Sequence, residues 1–142
     1  GAIQGFDADV PALGSHCEHV DIAISLHGYG GVPEHPRRWL TLCVGGQGRS
    51  AAAVVADRLR ASLNDYEVID TLDHIPRQYR GLHPDNPVNR VRSEGVQIEL
   101  PPRVRGVSPI WADHDFELEP WVPHTTALLD ALVASVIDLG DR

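Results

Sequence analysis

Val20-Asp21-Ile22-Ala23-Ile24-Ser25-Leu26-His27-Gly28-Tyr29-Gly30-Gly31 is the stretch from which the fold of this chain is read. Val20, Ile22, Ile24 and Leu26 alternate with Asp21, Ala23, Ser25 and His27, the period-two pattern of a strand with one apolar face and one small or polar face. The strand ends in His-Gly-x-Gly-Gly, where glycines let the chain turn sharply and bring bare backbone close to a ligand. The last side chain of such a strand stands at the rim of its sheet, and in open α/β sheets that carboxyl edge is where ligands bind. His27 is on that ground a candidate metal ligand or acid/base group, weighed against a histidine that merely finishes the rim.

Three further segments carry regular patterning. Trp39 to Val44 reads as a second apolar strand, ended by Gly45-Gly46-Gln47-Gly48. That glycine run has neither the Gly-x-Gly-x-x-Gly spacing nor a following Lys-Ser/Thr, so it is a strand-to-helix turn rather than a phosphate cradle. Ser50 is the expected N-cap of a helix whose stripe is Ala52, Val55, Ala56, Leu59 and Leu63, and Tyr66 to Asp70 is a short strand. Strand, helix, strand in that order predicts two parallel strands in one sheet. Gly95-Val96-Gln97-Ile98-Glu99-Leu100 repeats the alternation of the opening strand and leaves Glu99 near its carboxyl end, before Pro101-Pro102. If this strand and the first are parallel neighbours, His27 and Glu99 converge at one rim. A last helix, from about Pro123 to Asp138, is expected to close over the sheet with Leu128, Leu129, Leu132, Val133, Val136 and Ile137. The fold class is α/β: a mixed, largely parallel sheet flanked by helices.

The remaining segments are irregular. Residues 1 to 19 read as a loop or short helix, in which His16 and His19 have an i, i+3 spacing but no third metal ligand nearby. Val32-Pro33-Glu34-His35-Pro36 is a proline-rich bend, and Gly106 to Pro120 is irregular and acidic. From Leu72 to Arg92 turn formers dominate, and a long unpatterned segment inside a compact domain is more often functional than idle. Residues 76 to 105 hold six of the twelve arginines (Arg77, Arg80, Arg90, Arg92, Arg103, Arg105) against three acids (Asp85, Glu94, Glu99).

Composition bounds the partners. The chain has 142 residues, no methionine, no lysine and a net charge of −8, which argues against a nucleic-acid surface because such proteins carry a basic footprint. An anionic ligand would be met by the local arginine cluster. No apolar run approaches the length of a membrane span, and no membrane partner is expected. Cys17 and Cys43 are too few and too far apart for a zinc ribbon; they are two free thiols or one disulfide.

In this order, Ser25-Leu26-His27-Gly28, a strand ending in Gly45-Gly46, Gly81-Leu82-His83-Pro84-Asp85-Asn86-Pro87-Val88-Asn89-Arg90, and Gly95-Val96-Gln97-Ile98-Glu99-Leu100 followed by Arg103 resemble the poly-γ-glutamate hydrolase family. These are phage and bacterial proteins with a zinc-carboxypeptidase-like α/β fold. The resemblance implies a zinc-dependent hydrolase cleaving γ-glutamyl amide bonds, with zinc as cofactor and an anionic polymer or peptide as substrate. His27 matches the family's later zinc histidine, and Glu99 its catalytic glutamate. The family's earlier His-Gly-Gly loop, which supplies a His and a Glu to zinc, has no counterpart here. Residues 1–142 are therefore expected to be the C-terminal part of a single catalytic domain, with the N-terminal segment of that domain as a further partner.

Poly-γ-glutamate carries a free α-carboxylate beside each amide, and guanidinium forks suit carboxylates. Arg90 is the first choice of clamp and Arg80 the second. Asn86 and Asn89 orient the amide or hold the loop, with an Asx turn the better expectation for Asn86, just before Pro87. Two alternatives share these residues: a related zinc amidase or carboxypeptidase acting on small acyl-glutamate or peptide substrates, and a catalytically incomplete polyanion-binding module.

Overall fold

The computed structural model describes residues 11–30, 35, 39–106 and 123–142. Helix α1 (Pro11–His19) leads into β1 (Ile22–Gly28), followed by β2 (Thr41–Gly45), helix α2 (Arg49–Ser62), β3 (Glu67–Ile69), β4 (Glu94–Leu100) and helix α3 (Pro123–Gly140). Short 3-10 turns at Leu72–His74, Arg77–Tyr79 and Pro87–Arg90 fill the segment between β3 and β4, and another, Arg103–Arg105, follows β4. Most of the proline-rich bend at 32–36, residues 1–10 and all of the acidic stretch after Gly106 lie outside the described residues.

The strands order as β1-β4-β2-β3. β1 and β4 are parallel, β2 and β3 are parallel, and β2 meets β4 antiparallel, so the sheet is mixed and mostly parallel. The β2–α2–β3 unit thus has the parallel pairing its sequence order predicts. The β1–β4 register sets Ser25 opposite Gln97 and His27 opposite Glu99. On the other flank of β4, Cys43 of β2 also faces Glu99.

One layer of core forms between the sheet and the helices. Helix α2 buries Ala51, Ala52, Val55, Ala56 and Leu59 in one cluster with Leu42, Val44, Val96 and Ile98, and Leu63 closes its end. Full burial of each Val, Leu or Ile contributes roughly 1.5–3 kcal/mol. The stripe read from the sequence is therefore the buried face. Cys17 and Cys43 are both buried free thiols.

Three expectations are corrected. Strand β2 starts at Thr41, not Trp39; Trp39 and Leu40 belong to the turn before it. Ser50 is not the N-cap: Gly48 holds that position, and the first-turn N–H of Ala51 donates to Glu94 Oε1 at 2.9 Å, so a carboxylate from β4 caps the helix. Ser50 instead accepts a hydrogen bond from Arg142.

The third correction concerns α3, which runs to Gly140 but does not bury the six-residue stripe. Its buried face is Leu128, Ala131, Ser135 and Leu139, packed on α2, while Leu129, Val133, Val136 and Ile137 are exposed. An apolar helix with several candidate faces is oriented by its neighbour, and small residues at 131 and 135 let it approach the alanine-rich α2 closely. Ser135 is tolerated there because its hydroxyl donates to Ala131 O at 2.7 Å. The exposed residues of α3, with Leu26 on β1, leave apolar surface uncovered.

This orientation has a direct check in urea unfolding. Val133→Ser and Val136→Ser, at 60% exposure each, should change stability by less than about 0.5 kcal/mol. Leu128→Ala should cost about 2–5 kcal/mol. The reverse ranking would mean that the face read from sequence is the one that packs.

Candidate active site

Glu99 is the buried charge around which the rim is built. It lies on β4, which is flanked by strands on both sides, and it is 4% exposed, as is Gln97 two residues before it on the same face. Alternation predicts a polar face; the structure makes that face interior. Gln97 Nε2 donates to Glu99 Oε1 at 2.8 Å, and His27 Nδ1 stands 3.8 Å from the same oxygen. The second distance is beyond a hydrogen bond.

The surroundings are apolar or neutral. Tyr29, Cys43 and Ile75 form a small buried cluster, with Ile69, Leu72 and Tyr79 packed against it. The Tyr29 ring lies 4.9 Å from that of Tyr79, and its hydroxyl donates to Thr41 O. Burial pushes the Cys43 thiol up to about 12 and the Tyr29 phenol up as well, so both stay protonated at neutral pH. The same desolvation raises Glu99 to about 7, opposed by the hydrogen bond from Gln97, and lowers His27. A carboxyl group poised near neutrality beside a neutral imidazole is a pairing suited to proton transfer and to metal ligation.

Behind the rim, Arg105 lies across Gly28. A Cβ at that glycine would come within 2.7 Å of Arg105 Nη1, and Arg105 Nη2 donates to Tyr29 O at 3.1 Å. The glycine after His27 is thus a close-approach glycine, as its motif predicts, but the group approaching is an arginine of the chain itself.

Residues 3–108 match the family described as poly-gamma-glutamate hydrolase. The chain belongs to the poly-gamma-glutamate hydrolase family. Among solved structures it is similar to YNDL in a zinc-free apo form, with a TM-score of 0.57 and 22% identity over 88% of this chain and 59% of that one. It is equally similar to a bacteriophage poly-gamma-glutamate hydrolase, with a TM-score of 0.57 and 20% identity over 88% of this chain and 58% of that one. At such identities the likeness is one of fold. The chain spans somewhat under three fifths of these two structures. No curated protein matches it.

Within this family member, the structure gathers some of the residues singled out from sequence and separates others. His27 and Glu99 are adjacent, and Asn86 joins them through Gln97, since Asn86 Nδ2 donates to Gln97 Oε1 at 2.6 Å. Asn86 also forms the turn expected before Pro87, its Oδ1 accepting from Val88 N. Asn89 holds loops together: its amide donates to Gly81 O and His83 O, and its oxygen accepts from Gln47 N. Arg80 donates from Nε to Ile75 O at 2.8 Å and directly precedes Gly81, which packs on Gln97. Arg90 is elsewhere: its Nη2 would lie 3.6 Å from a Cβ on Gly14 of α1. Gln97, Cys43, Tyr29 and Arg105 were not singled out as site residues. Gln97 had a signal, sharing the face of Glu99 at i−2, whereas Cys43 enters only through the antiparallel pairing.

The described residues do not assemble a complete zinc site. His27 is a neutral, half-buried imidazole at the rim, but Cys43 is held as a thiol, and no group of three or more His, Cys, Asp or Glu side chains is arranged to hold a metal. His19 on α1 has Nδ1 2.8 Å from Ser15 O, a contact within its own helix.

The raised Glu99 carboxyl makes a stability prediction. Its folded value of about 7 exceeds the ordinary 4.5, so between these values the folded state holds more protons than the unfolded one. Stability therefore falls as pH rises through this window, on the order of 3 kcal/mol from this group. His27, lowered by burial, contributes the opposite slope below its ordinary 6.5. Urea unfolding of metal-free parent and Glu99→Gln between pH 4.5 and 8 separates them: the parent should lose stability relative to the variant as pH rises. Parallel profiles would place the Glu99 carboxyl in a solvated setting.

Proposed function

We propose that this chain carries the general base and one zinc ligand of a hydrolase that cleaves γ-glutamyl amide bonds of poly-γ-glutamate. The observation that carries the reading is the buried Glu99, poised near neutrality beside His27 at the common end of two parallel strands, in a chain of this family.

The chain's own residues support the following chemistry. The Glu99 carboxylate accepts a proton from the attacking water and returns it to the leaving amine nitrogen, which a carboxyl group titrating near 7 does in both directions at neutral pH. The apolar Tyr29–Cys43–Ile75 cluster keeps bulk water off that carboxylate. His27 is the zinc ligand that this chain offers. Bound zinc would polarise the scissile carbonyl and acidify the water. Among the described residues no group of three or more His, Cys, Asp or Glu side chains is arranged to complete the site.

For the substrate's α-carboxylates, the geometry favours Arg80 over Arg90. Arg80 Nε donates to the carbonyl of Ile75, a member of the Tyr29–Cys43–Ile75 cluster, while the Arg90 guanidinium lies towards α1. Glu99→Gln keeps the shape and an oxygen able to accept from Gln97 but cannot take a proton. It should lower turnover of poly-γ-glutamate by at least about a hundredfold, with zinc content and melting temperature close to parent. Near-parent turnover would remove Glu99 from the mechanism.

The two arginines are separated by steady-state kinetics on the polymer. Arg80→Ala should raise KM about tenfold or more, as expected when a charged hydrogen bond worth roughly 1.5–3 kcal/mol is lost. Arg90→Ala should leave KM within about twofold. The opposite pattern would return the carboxylate clamp to Arg90.

A further inference from the structure

Glu99 has two oxygens, and among the described residues it is Oε1 that receives a side-chain hydrogen bond. Gln97 Nε2 donates to Oε1 at 2.8 Å. A glutamine amide presents a donor on one side and an acceptor on the other, so its usefulness depends on which way it faces. Rotated by half a turn, Gln97 would set an oxygen against the Glu99 carboxylate.

What decides the orientation is a chain of contacts leading back to a backbone N–H. Val88 N can only donate, and it donates to Asn86 Oδ1. This fixes the Asn86 amide with Nδ2 directed at Gln97, 2.6 Å from Oε1. Gln97 must then present its oxygen to Asn86 and its nitrogen to Glu99. Packing holds the same arrangement. Gly81 adopts a φ of +64°, and a Cβ there would come within 2.9 Å of the Gln97 Cβ, Cδ and Oε1. Asn89 Nδ2 ties down Gly81 O at 2.7 Å. Gln97 itself is 4% exposed, so water does not compete.

We propose that Gln97 is a positioning residue that, by donating to Glu99 Oε1, holds the carboxyl group in place beside His27, and that Asn86 sets the direction of the Gln97 amide. The proposal rests on the reading of Glu99 as the base. Its distinguishing feature is that the isosteric change at Asn86 is the harmful one. Asn86→Asp retains an acceptor for Val88 N but loses the donor, so Gln97 turns its nitrogen to position 86 and its oxygen to Glu99. Asn86→Ala removes the turn contact without imposing a reversed amide.

The test uses the full chain and two readouts. In poly-γ-glutamate hydrolysis, Gln97→Leu should lower kcat about tenfold or more with KM within about twofold, the scale of a misplaced catalytic group. Asn86→Asp should lower kcat more than Asn86→Ala, although its melting temperature should be the higher of the two. In a Gln97→Leu background, the kcat difference between the two Asn86 variants should vanish. The second readout is the 13C resonance of the Glu99 carboxyl in labelled, metal-free protein at one fixed pH; it should move further in Asn86→Asp than in Asn86→Ala, and equally in the Gln97→Leu background. The proposal is overturned if Asn86→Ala is the worse variant in both readouts, or if the difference survives without Gln97, which would assign it to the added charge. A parent chain that cleaves nothing, with the carboxyl resonance ranking as stated, would reject the functional reading and leave the positioning intact.

Discussion

The constraint on which the site depends is the burial of two consecutive polar side chains of one face, Gln97 and Glu99, in the interior of a mixed sheet. A buried polar group without a partner costs about 1–3 kcal/mol, and a charged one more. The structure meets that cost with direct contacts: Glu99 with Gln97, Gln97 with Asn86, Asn86 with the backbone of Val88. The irregular segment between β3 and β4 is therefore part of the site's foundation. Its 3-10 turns and its glycine at position 81 bring loop groups onto the face of a central strand, and the segment's shape follows from what that strand needs.

The same burial tunes the chemistry. Desolvation by burial raises Glu99 to about 7, whereas the hydrogen bond from Gln97 pulls in the opposite direction. Desolvation is the larger effect, which is why a carboxylic acid here titrates near neutrality instead of near its ordinary 4.5. His27 is affected in the complementary sense, since burial disfavours its charged form. One dielectric environment thus yields a weak carboxylic acid and a neutral imidazole side by side. The arginines contribute differently: Arg105 braces the rim at Gly28 and Tyr29, and Arg80 braces the Ile75 loop.

The sequence by itself determined the elements and the rim. Strict alternation in β1 and β4, and a clean helical stripe in α2, follow from local periodicity, which a one-dimensional pattern carries in full. The strand–helix–strand order implied the parallel β2–β3 pair, and the positions of His27 and Glu99 near strand ends implied convergence once β1 and β4 pair in parallel. Tertiary structure decided that they do pair, and in a register that sets the two side chains opposite each other. It also decided that β4 is central, turning a face read as polar into a buried network, and that β2 enters antiparallel, bringing Cys43 to Glu99. The cap of α2 by Glu94 and the orientation of α3 were likewise illegible: both depend on a partner far along the chain, and an apolar helix does not specify which of its faces will find one. Arg90 and Arg80 are equivalent as letters in a basic loop. They differ because the folded loop directs the Arg90 guanidinium towards α1 and that of Arg80 to the Ile75 carbonyl.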